Sequence, residues 1–283
     1  MARFTNQAQL KYGNAVTNSN IAVGEILEVL SASKTAVRDT YGQNDSVTYL
    51  IALVNSGTVP VTGLTLTDDL GTYAFGQETL TPLTYVAGTV TYYINGTKQA
   101  APTAVAGPPL VISGISVPAG GNTVIAYEAE VNRYAPLDLE SNITNTAVIS
   151  GNGITPISVN ETVNARVEPI LTITKSISPV PVTENGTLTY TFLIQNSGNA
   201  AADAASAAVI VDTFDPRLSN LSVSFNGTAW TEPENYTYDE PTGLFSTTAG
   251  QVTVPAGPFV QDPNTGDWTV TPGISTLVVT GTI

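Results

Sequence analysis

The stretch "TITKSISPVPVTENGTLTYTFLIQNSG" (Thr172–Gly198) lies without a gap over "SASKTAVRDTYGQNDSVTYLIALVNSG" (Ser31–Gly57). Lys34 and Lys175 fall at the same position of the two stretches, and both stretches end in Asn-Ser-Gly. Self-similarity of this kind indicates one structural unit present twice in the chain.

The correspondence continues in the same order on both sides of these stretches. "LTLTDDL" (Leu64–Leu70) matches "VIVDTF" (Val209–Phe214), and "PAGGNTVIAYEAEV" (Pro118–Val131) matches "PGISTLVVTGTI" (Pro272–Ile283). Short runs rich in β-branched and aromatic residues are separated by Asn-Gly, Pro-Ala-Gly and Ser-Gly turns, a pattern typical of strands. We therefore predict an all-β fold with two tandem Ig-like β-sandwich domains of about seven strands each.

Composition agrees with this class and excludes several functions. The 283 residues include 24 Gly and 18 Pro, and only 11% of them are charged, as expected for a turn-rich β protein. The net charge of −14 repels a nucleic-acid backbone, so no nucleic-acid partner is expected. Because the chain has no Cys and no His, thiol and imidazole catalysis and most metal sites are unavailable to it. We expect no enzymatic activity, no cofactor and no membrane span.

The two copies differ at their ends. After Val131 the first copy continues through "ITNTAVISG" (Ile143–Gly151) and "ISVNETVNA" (Ile157–Ala165), whereas the second copy stops at Ile283. The segment that would correspond to these two runs is found at the start of the chain. There, "FTNQAQLKYG" (Phe4–Gly13) and "TNSNIAVG" (Thr17–Gly24) resemble the two closing runs of the first copy. The predicted domains are accordingly a donor hairpin (1–24), a first sandwich (25–165) and a second sandwich (166–283) that is incomplete without a hairpin.

An incomplete sandwich exposes apolar surface and unpaired strand edges, which proteins normally cover. We predict that the hairpin of one molecule completes the second sandwich of the next, so that the chain's partner is itself. Such a head-to-tail contact propagates into a filament; closure of the sandwich by the molecule's own hairpin is the alternative. The predicted interface residues are Phe4, Asn6, Ala8, Leu10, Tyr12, Ile21, Val23, Leu277, Val279 and Ile283.

The residues "LTITKSISP…VTENGTLTYTFLIQNSGN…VIVDTF" resemble the tandem conserved repeat domain, domain of unknown function eleven, of bacterial surface proteins. The resemblance spans nearly the whole chain. The resemblance implies stalk or surface-layer material of a bacterial surface. Together with the predicted head-to-tail contact, it leads us to expect the structural subunit of a filament outside the cell, on a cell or spore surface. A second reading is an adhesin or stalk fragment that binds a host or cell-wall ligand.

Alternation along the strands places three polar side chains on the inner face of each sandwich. In the first copy these are Lys34, Asp68 and Asn145. In the second they are Lys175 and Asp212, joined by Asn6 from a neighbouring molecule. Unpaired burial of such groups costs several kcal/mol, on the order of 2–7 for a neutral polar group alone.

This order of lysine, acid and asparagine is similar to that of isopeptide-bonded Ig-like domains in Gram-positive pilins and adhesins. The resemblance implies a bond from Lys34 to Asn145 assisted by Asp68, and an intermolecular bond from Lys175 to Asn6 assisted by Asp212. A plain hydrogen-bonded cluster, or a lysine reaching to the sandwich rim, explains the same residues without a covalent bond.

Two other patterns are explained more simply by structure than by binding. "QDPNTGDW" (Gln261–Trp268) has a spacing loosely like a calcium loop but lacks the distal Glu, so we interpret it as a turn and predict no metal site. The Ala-rich run Asn199–Val209 is interpreted as a loop leading into a strand.

Overall fold

The computed structural model describes residues 2–26, 28–151 and 153–283. The all-β prediction is confirmed, since the only helix in these ranges is one 3₁₀ turn, Ala204–Ser206, within the Ala-rich run. Four short strands form the N-terminal segment: β1 (Ala2–Asn6), β2 (Gln9–Tyr12), β3 (Ala15–Asn18) and β4 (Ala22–Ile26). The chain divides into two compact units. The first comprises the residues up to Asn132 together with Ile143–Val163, and the second comprises Arg133–Asn142 and Asn164–Ile283.

The remaining strands follow in chain order. The first group is β5 (Leu30–Ala36), β6 (Thr40–Tyr41), β7 (Ser46–Asn55), β8 (Val61–Asp68), β9 (Tyr73–Phe75), β10 (Glu78–Leu80), β11 (Leu83–Tyr85), β12 (Thr91–Ile94), β13 (Thr97–Gln99), β14 (Thr103–Val105), β15 (Leu110–Val117), β16 (Asn122–Val131), β17 (Asn142–Ser150) and β18 (Ile157–Ala165). The second group is β19 (Leu171–Ser178), β20 (Thr187–Asn196), β21 (Val211–Thr213), β22 (Ser219–Phe225), β23 (Thr228–Trp230), β24 (Tyr236–Asp239), β25 (Leu244–Thr247), β26 (Phe259–Gln261), β27 (Trp268–Val270) and β28 (Gly273–Thr282).

The first group of strands forms two main sheets. One has the order β13-β12-β16-β7-β5, with β11 also on β16, and the other has the order β14-β15-β8-β17-β18-β6. The inward positions of the long strands are fully buried, as in β7, whose buried and partly buried residues alternate. This is the period-two pattern of a strand with one face on a core.

The second group repeats the central strands of both sheets. Its larger sheet, β19-β20-β28-β22-β23, follows the order of the first sheet above, and its smaller sheet, β21-β25-β24, matches β8-β15-β14. Among the described strands, nothing in this unit corresponds to β17 and β18, so β21 ends the smaller sheet. The unit nevertheless has its own core, built around Phe214, Phe245 and Leu277.

Turn chemistry repeats together with the strands. The hairpins β12–β13 and β22–β23 both turn on Asn-Gly, and both residues have positive φ in each case: Asn95 48°, Gly96 76°, Asn226 49° and Gly227 79°. Positive φ at both central residues defines the type I′ turn, which suits the twist of a two-residue hairpin.

A buried asparagine also anchors the same loop in each unit. Asn55 donates to the Val59 carbonyl at 2.8 Å and accepts from the Gly57 amide at 2.9 Å. Asn196, its counterpart, donates to the Ala200 carbonyl at 2.7 Å. The internal repeat is therefore a repeat of hydrogen bonds as well as of sequence.

The N-terminal hairpin pairs only within itself in the described chain. β1 pairs with β4 so that Phe4 lies opposite Gly24, and β2 pairs with β3 so that Tyr12 lies opposite Ala15. Between these two paired regions, the returning half of the hairpin (residues 19–21) has one residue more than the outgoing half (residues 7–8). The extra residue forms a β-bulge. Every side chain described from Phe4 to Val23 is exposed.

Candidate functional site: two lysine–aspartate clusters and an open sheet edge

The first cluster lies inside the first unit. The Lys34 ammonium group is 2.6 Å from Asp68 Oδ2, and both side chains are completely buried. The Tyr127 hydroxyl donates to the same carboxylate oxygen at 2.5 Å, and Asn145 Nδ2 donates to that hydroxyl at 3.3 Å. The structure thus brings together Lys34, Asp68 and Asn145, as the alternation pattern predicts, and adds a tyrosine between the acid and the amide.

The strands account for this convergence. Lys34 is on β5, in one sheet, while Asp68 ends β8 in the other, opposite Ala147 of β17. Asn145 precedes Ala147 by two residues and therefore shares its face. Asp68 is fixed further by the Leu70 amide, which donates to Oδ1 at 3.0 Å.

Burial dominates the electrostatics of this cluster. It lowers the pKa of Lys34 despite the opposing attraction of Asp68, and it raises the pKa of Tyr127 well above the ordinary value, with Asp68 adding to the rise. The Lys34 ammonium group also lies 4.7 Å from the centre of the Tyr49 ring. Burial favours the neutral amine of a lysine, which is its nucleophilic form.

One buried polar atom of this cluster, Asn145 Oδ1, makes no hydrogen bond within the described chain. Because most buried polar atoms are bonded, an open carbonyl oxygen beside a lysine–carboxyl pair is unusual. It leaves the Asn145 side-chain carbonyl free to receive a proton or hydrogen bond during a reaction at its carbon.

The second cluster lies at the surface of the second unit. The Lys175 ammonium group contacts Asp212 Oδ2, but 37% of the lysine side chain and 19% of the aspartate side chain are exposed. The ammonium group lies 4.2 Å from the centre of the Tyr190 ring and 5.4 Å from that of Phe214. The lysine, the acid and the underlying tyrosine repeat those of the first cluster in an open setting.

The two clusters also differ in composition. Tyr127 lies opposite Tyr49 on the neighbouring strand, and at the equivalent place Val279 lies opposite Tyr190. The second unit therefore has no hydroxyl where the first has one bridging acid and amide. Within its described residues it also has no strand equivalent to β17, which carries Asn145.

Apolar side chains are exposed beside the second cluster. All eight residues of β19 are exposed, whereas in its counterpart β5 exposed residues alternate with residues that are buried or half-buried. Leu171, Ile173 and Ile177, which alternate with Lys175 on one face, are 38%, 51% and 45% exposed. We call the space beside Lys175 and Asp212, between β19 and the free edge of β21, the acceptor groove.

The hairpin carries a matching apolar face. Phe4 is 54% exposed and Leu10 62%, and with Asn6 and Ala8 they share one face of the first hairpin strand. Tyr12, at 61%, continues this face, and Ile21, at 58%, lies at the bulge.

The structure requires a correction for Val23. It pairs with Thr5 rather than with Phe4 or Asn6, so it lies on the opposite face of the hairpin from them. Ala22 and Gly24, which pair with Asn6 and Phe4, are the residues of the fourth strand that share the face of Asn6.

The interface prediction is also corrected at the C-terminal strand. Leu277 and Val279 are completely buried in the core of the second unit, because β28 lies between β20 and β22 and its inner face is already covered. Ile283 is half-buried and packs against the same core. The open surface is offered by β19 and β21 instead.

No group of His, Cys, Asp or Glu side chains among the described residues is arranged to hold a metal ion. In the loop that resembles a calcium site, Asp262 Oδ1 accepts from the amides of Asn264 at 2.7 Å and Thr265 at 3.1 Å. These bonds form the turn that the sequence predicts. No helix in the described ranges is long and apolar enough to cross a membrane.

Comparison with known proteins gives distant structural likenesses only. No family model matches the chain, and no curated protein matches it. The major pilin subunit BcpA of Bacillus cereus matches with a TM-score of 0.37 and 10% identity, over 96% of this chain and 73% of the pilin. The full-length major pilin SpaD of Corynebacterium diphtheriae has a TM-score of 0.36 and 14% identity, over 86% and 59%. The collagen-binding subdomain of the Enterococcus faecalis surface protein ACE has a TM-score of 0.32 and 8% identity, over 50% and 99%.

Proposed function

We propose that this protein is the structural subunit of a bacterial surface or spore filament that polymerises head-to-tail. The N-terminal hairpin of one copy fills the acceptor groove of the next and takes the place that β17 and β18 occupy in the first unit. The observation that carries the proposal is a correspondence within one chain: Lys34 and Asp68 are completely buried beside β17, while Lys175 is exposed and Asp212 is only partly buried.

The apolar surfaces supply the driving force. Phe4 and Leu10 on the donor, and Ile173 and Ile177 in the groove, are each about half exposed. Full burial of one such side chain is worth about 1.5–3 kcal/mol. Backbone hydrogen bonds along the edge of β21 add affinity, as in other cases of strand addition.

A covalent bond is the second part of the proposal. In the first unit, the neutral Lys34 amine attacks Cγ of Asn145, and Asp68 relays the amine proton to the amide nitrogen. A new C–N bond forms, the Cγ–Nδ2 bond breaks, and ammonia leaves with its protons balanced. Lowering of the Lys34 pKa by burial and the direct contact with Asp68 support this chemistry.

The same reaction between copies joins Lys175 to Asn6, assisted by Asp212. Docking of the hairpin covers Lys175, which reproduces the burial that Lys34 already has. Each junction of the filament is then closed by a covalent bond that forms only after docking.

Polymerisation is tested by expressing the full chain and a chain lacking residues 1–24, followed by negative-stain microscopy. Filaments from the full chain alone support the proposal. Single molecules from both chains contradict it and favour a stalk or adhesin fragment.

A matched pair of variants separates docking from a general effect of charge. Ala8→Asp places a carboxylate on the face of the hairpin that enters the groove, and Thr5→Asp places one on the opposite face. Because burial of an unpaired charge is costly, Ala8→Asp is expected to stop polymerisation and Thr5→Asp to permit it. Equal behaviour of the two variants contradicts the proposal.

A further inference from the structure

We propose that the hairpin docks in a single register, with Ala8 of one copy opposite Asp212 of the next and the Gln7 carbonyl accepting from the Thr213 amide. This inference rests on the proposed function and specifies how the two copies pair. Three sets of backbone hydrogen bonds support this register independently: those of the hairpin, those of β21 in the second unit, and those of the first unit.

The hairpin has one unused edge. The Ser19 amide donates to the Ala8 carbonyl at 2.8 Å, and the Ala8 amide donates to Ser19 Oγ at 3.0 Å, so the backbone groups of Ala8 point into the hairpin. Backbone groups alternate in direction along a strand. Those of Gln7 and Gln9 therefore point outward, to the edge that the hairpin itself does not use.

The acceptor strand shows the complementary pattern. The Phe214 amide donates to the Gly243 carbonyl at 2.8 Å, and the Thr247 amide donates to the Ile210 carbonyl at 3.0 Å. The backbone N–H and C=O groups of the even-numbered residues between Ile210 and Phe214 therefore point toward β25. The backbone groups of Val211 and Thr213 point the other way, toward the free edge of β21, where an incoming strand would lie.

The first unit shows what fills that edge. The Asp69 amide donates to the Thr146 carbonyl at 2.9 Å, and Ala147 lies opposite Asp68. In the repeat, Asp69 corresponds to Thr213. Alignment of "ITNTAVI" with "FTNQAQL" makes Thr146 correspond to Gln7.

The sequence alignment and the hydrogen-bond directions agree. Gln7 is the residue that the alignment assigns to Thr213, and it is also a residue whose backbone points to the unused edge. A shift of one residue would present Ala8, whose backbone groups are already bonded to Ser19, and would turn Asn6 away from Lys175. A shift of two residues keeps the directions but moves Asn6 away from the lysine.

The Thr213 amide has a temporary partner in the single chain. It donates to Oδ1 of the adjacent Asp212 at 2.9 Å. In the register proposed here the Gln7 carbonyl takes its place, and that oxygen of Asp212 becomes available to the incoming Asn6 amide.

Engineered disulfides test the register, since the chain has no native cysteine. Gln9→Cys with Val211→Cys joins positions equivalent to Val148 and Thr67, which face each other in the first unit. Gln9→Cys with Thr213→Cys is the control, because a two-residue displacement moves the Cα atoms beyond the roughly 7 Å that a disulfide spans. Both variants carry the same number of cysteines on exposed positions.

Both variants also carry Lys175→Ala, so that no isopeptide bond joins the copies. Their filaments are first confirmed by microscopy. They are then oxidised and analysed on a non-reducing denaturing gel. A ladder of covalent oligomers from Gln9→Cys/Val211→Cys, and not from the control, is the expected result. Filaments in which only the control pair, or neither pair, forms the ladder overturn the register but leave the exchange of hairpins standing. A disulfide within single molecules, or the absence of filaments, overturns the proposed function itself.

Discussion

Lys175 contacts Asp212 at a surface where 37% of the lysine side chain is exposed, although the same contact in the first unit is completely buried. The first pair lies beside β17. Among the described residues, the first unit has strands beside its lysine–aspartate pair that the second unit does not have, so the two pairs can be compared within one chain.

The two lysines are expected to differ in their contribution to stability. In a chain that carries Asn145→Ala and so forms no isopeptide bond, Lys34→Met leaves Asp68 buried without its lysine partner, which typically costs about 3–5 kcal/mol. Lys175→Met removes a partly exposed ion pair, which is worth no more than about 1 kcal/mol. Urea unfolding of the chain lacking residues 1–24, in which no exchange occurs, measures both; equal losses would contradict the difference in burial.

In a chain that carries Asn145→Ala, so that Lys34 remains a free amine, the stability of the first unit should depend on pH in two opposite ways. Because burial lowers the pKa of Lys34, the unfolded chain binds more protons than the folded chain between that lowered value and 10.5, so stability rises with pH in this window. Burial raises the pKa of Tyr49 and Tyr127 above 10.0, so the folded chain keeps protons that the unfolded chain loses, and stability falls above that pH.

Unfolding measured across this range should therefore show a maximum near pH 10. Lys34→Met is expected to flatten the rise and Tyr127→Phe to reduce the fall. A profile that neither substitution changes would show that these groups do not titrate differently in the folded and unfolded chains.

Intact-mass measurement tests the bond inside the first unit. A bond between Lys34 and Asn145 lowers the mass by one ammonia, and Asn145→Ala should abolish this loss without changing the strand pairing. Tyr127→Phe should slow formation of the bond, because the hydroxyl holds both the acid and the amide. A full mass for the unaltered chain would reduce the cluster to a hydrogen-bonded network.

Salt should accelerate assembly. Each copy carries a net charge of −14, so approaching copies repel one another over about 10 Å at 0.1 M ionic strength and about 30 Å at 0.01 M. Light scattering should report faster growth at the higher ionic strength. Slower growth would indicate that attraction between opposite charges, rather than apolar burial and strand pairing, brings the copies together.

Much of the fold follows from the sequence because the repeat fixes equivalent strands and alternation fixes their faces. The facing of Lys34, Asp68 and Asn145 toward one another could be predicted in this way, since each strand has one face on a core. Tyr127 could have been added by the same argument: it alternates with the buried Ile125 and Ala129, and a buried tyrosine hydroxyl needs a partner.

Other features could not be predicted from alternation alone. Leu277 and Val279 have the right pattern for an interface, but strand order decides whether that face meets a neighbour or the unit's own core, and strand order depends on contacts distant in sequence. Val23 is apolar like the other predicted interface residues, but its pairing with Thr5 places it on the opposite face from Phe4 and Asn6, and cross-strand partners are not visible in the pattern of apolar residues.

Mixing of two disabled copies tests the central claim most directly. One copy lacks residues 1–24 and can only accept; the other carries Ile173→Glu in the acceptor groove and can only donate. Light scattering coupled to size-exclusion chromatography should find each copy alone as a monomer and the mixture as a one-to-one dimer. If the mixture also remains monomeric while the unaltered chain polymerises, the hairpin of one copy does not fill the groove of the next.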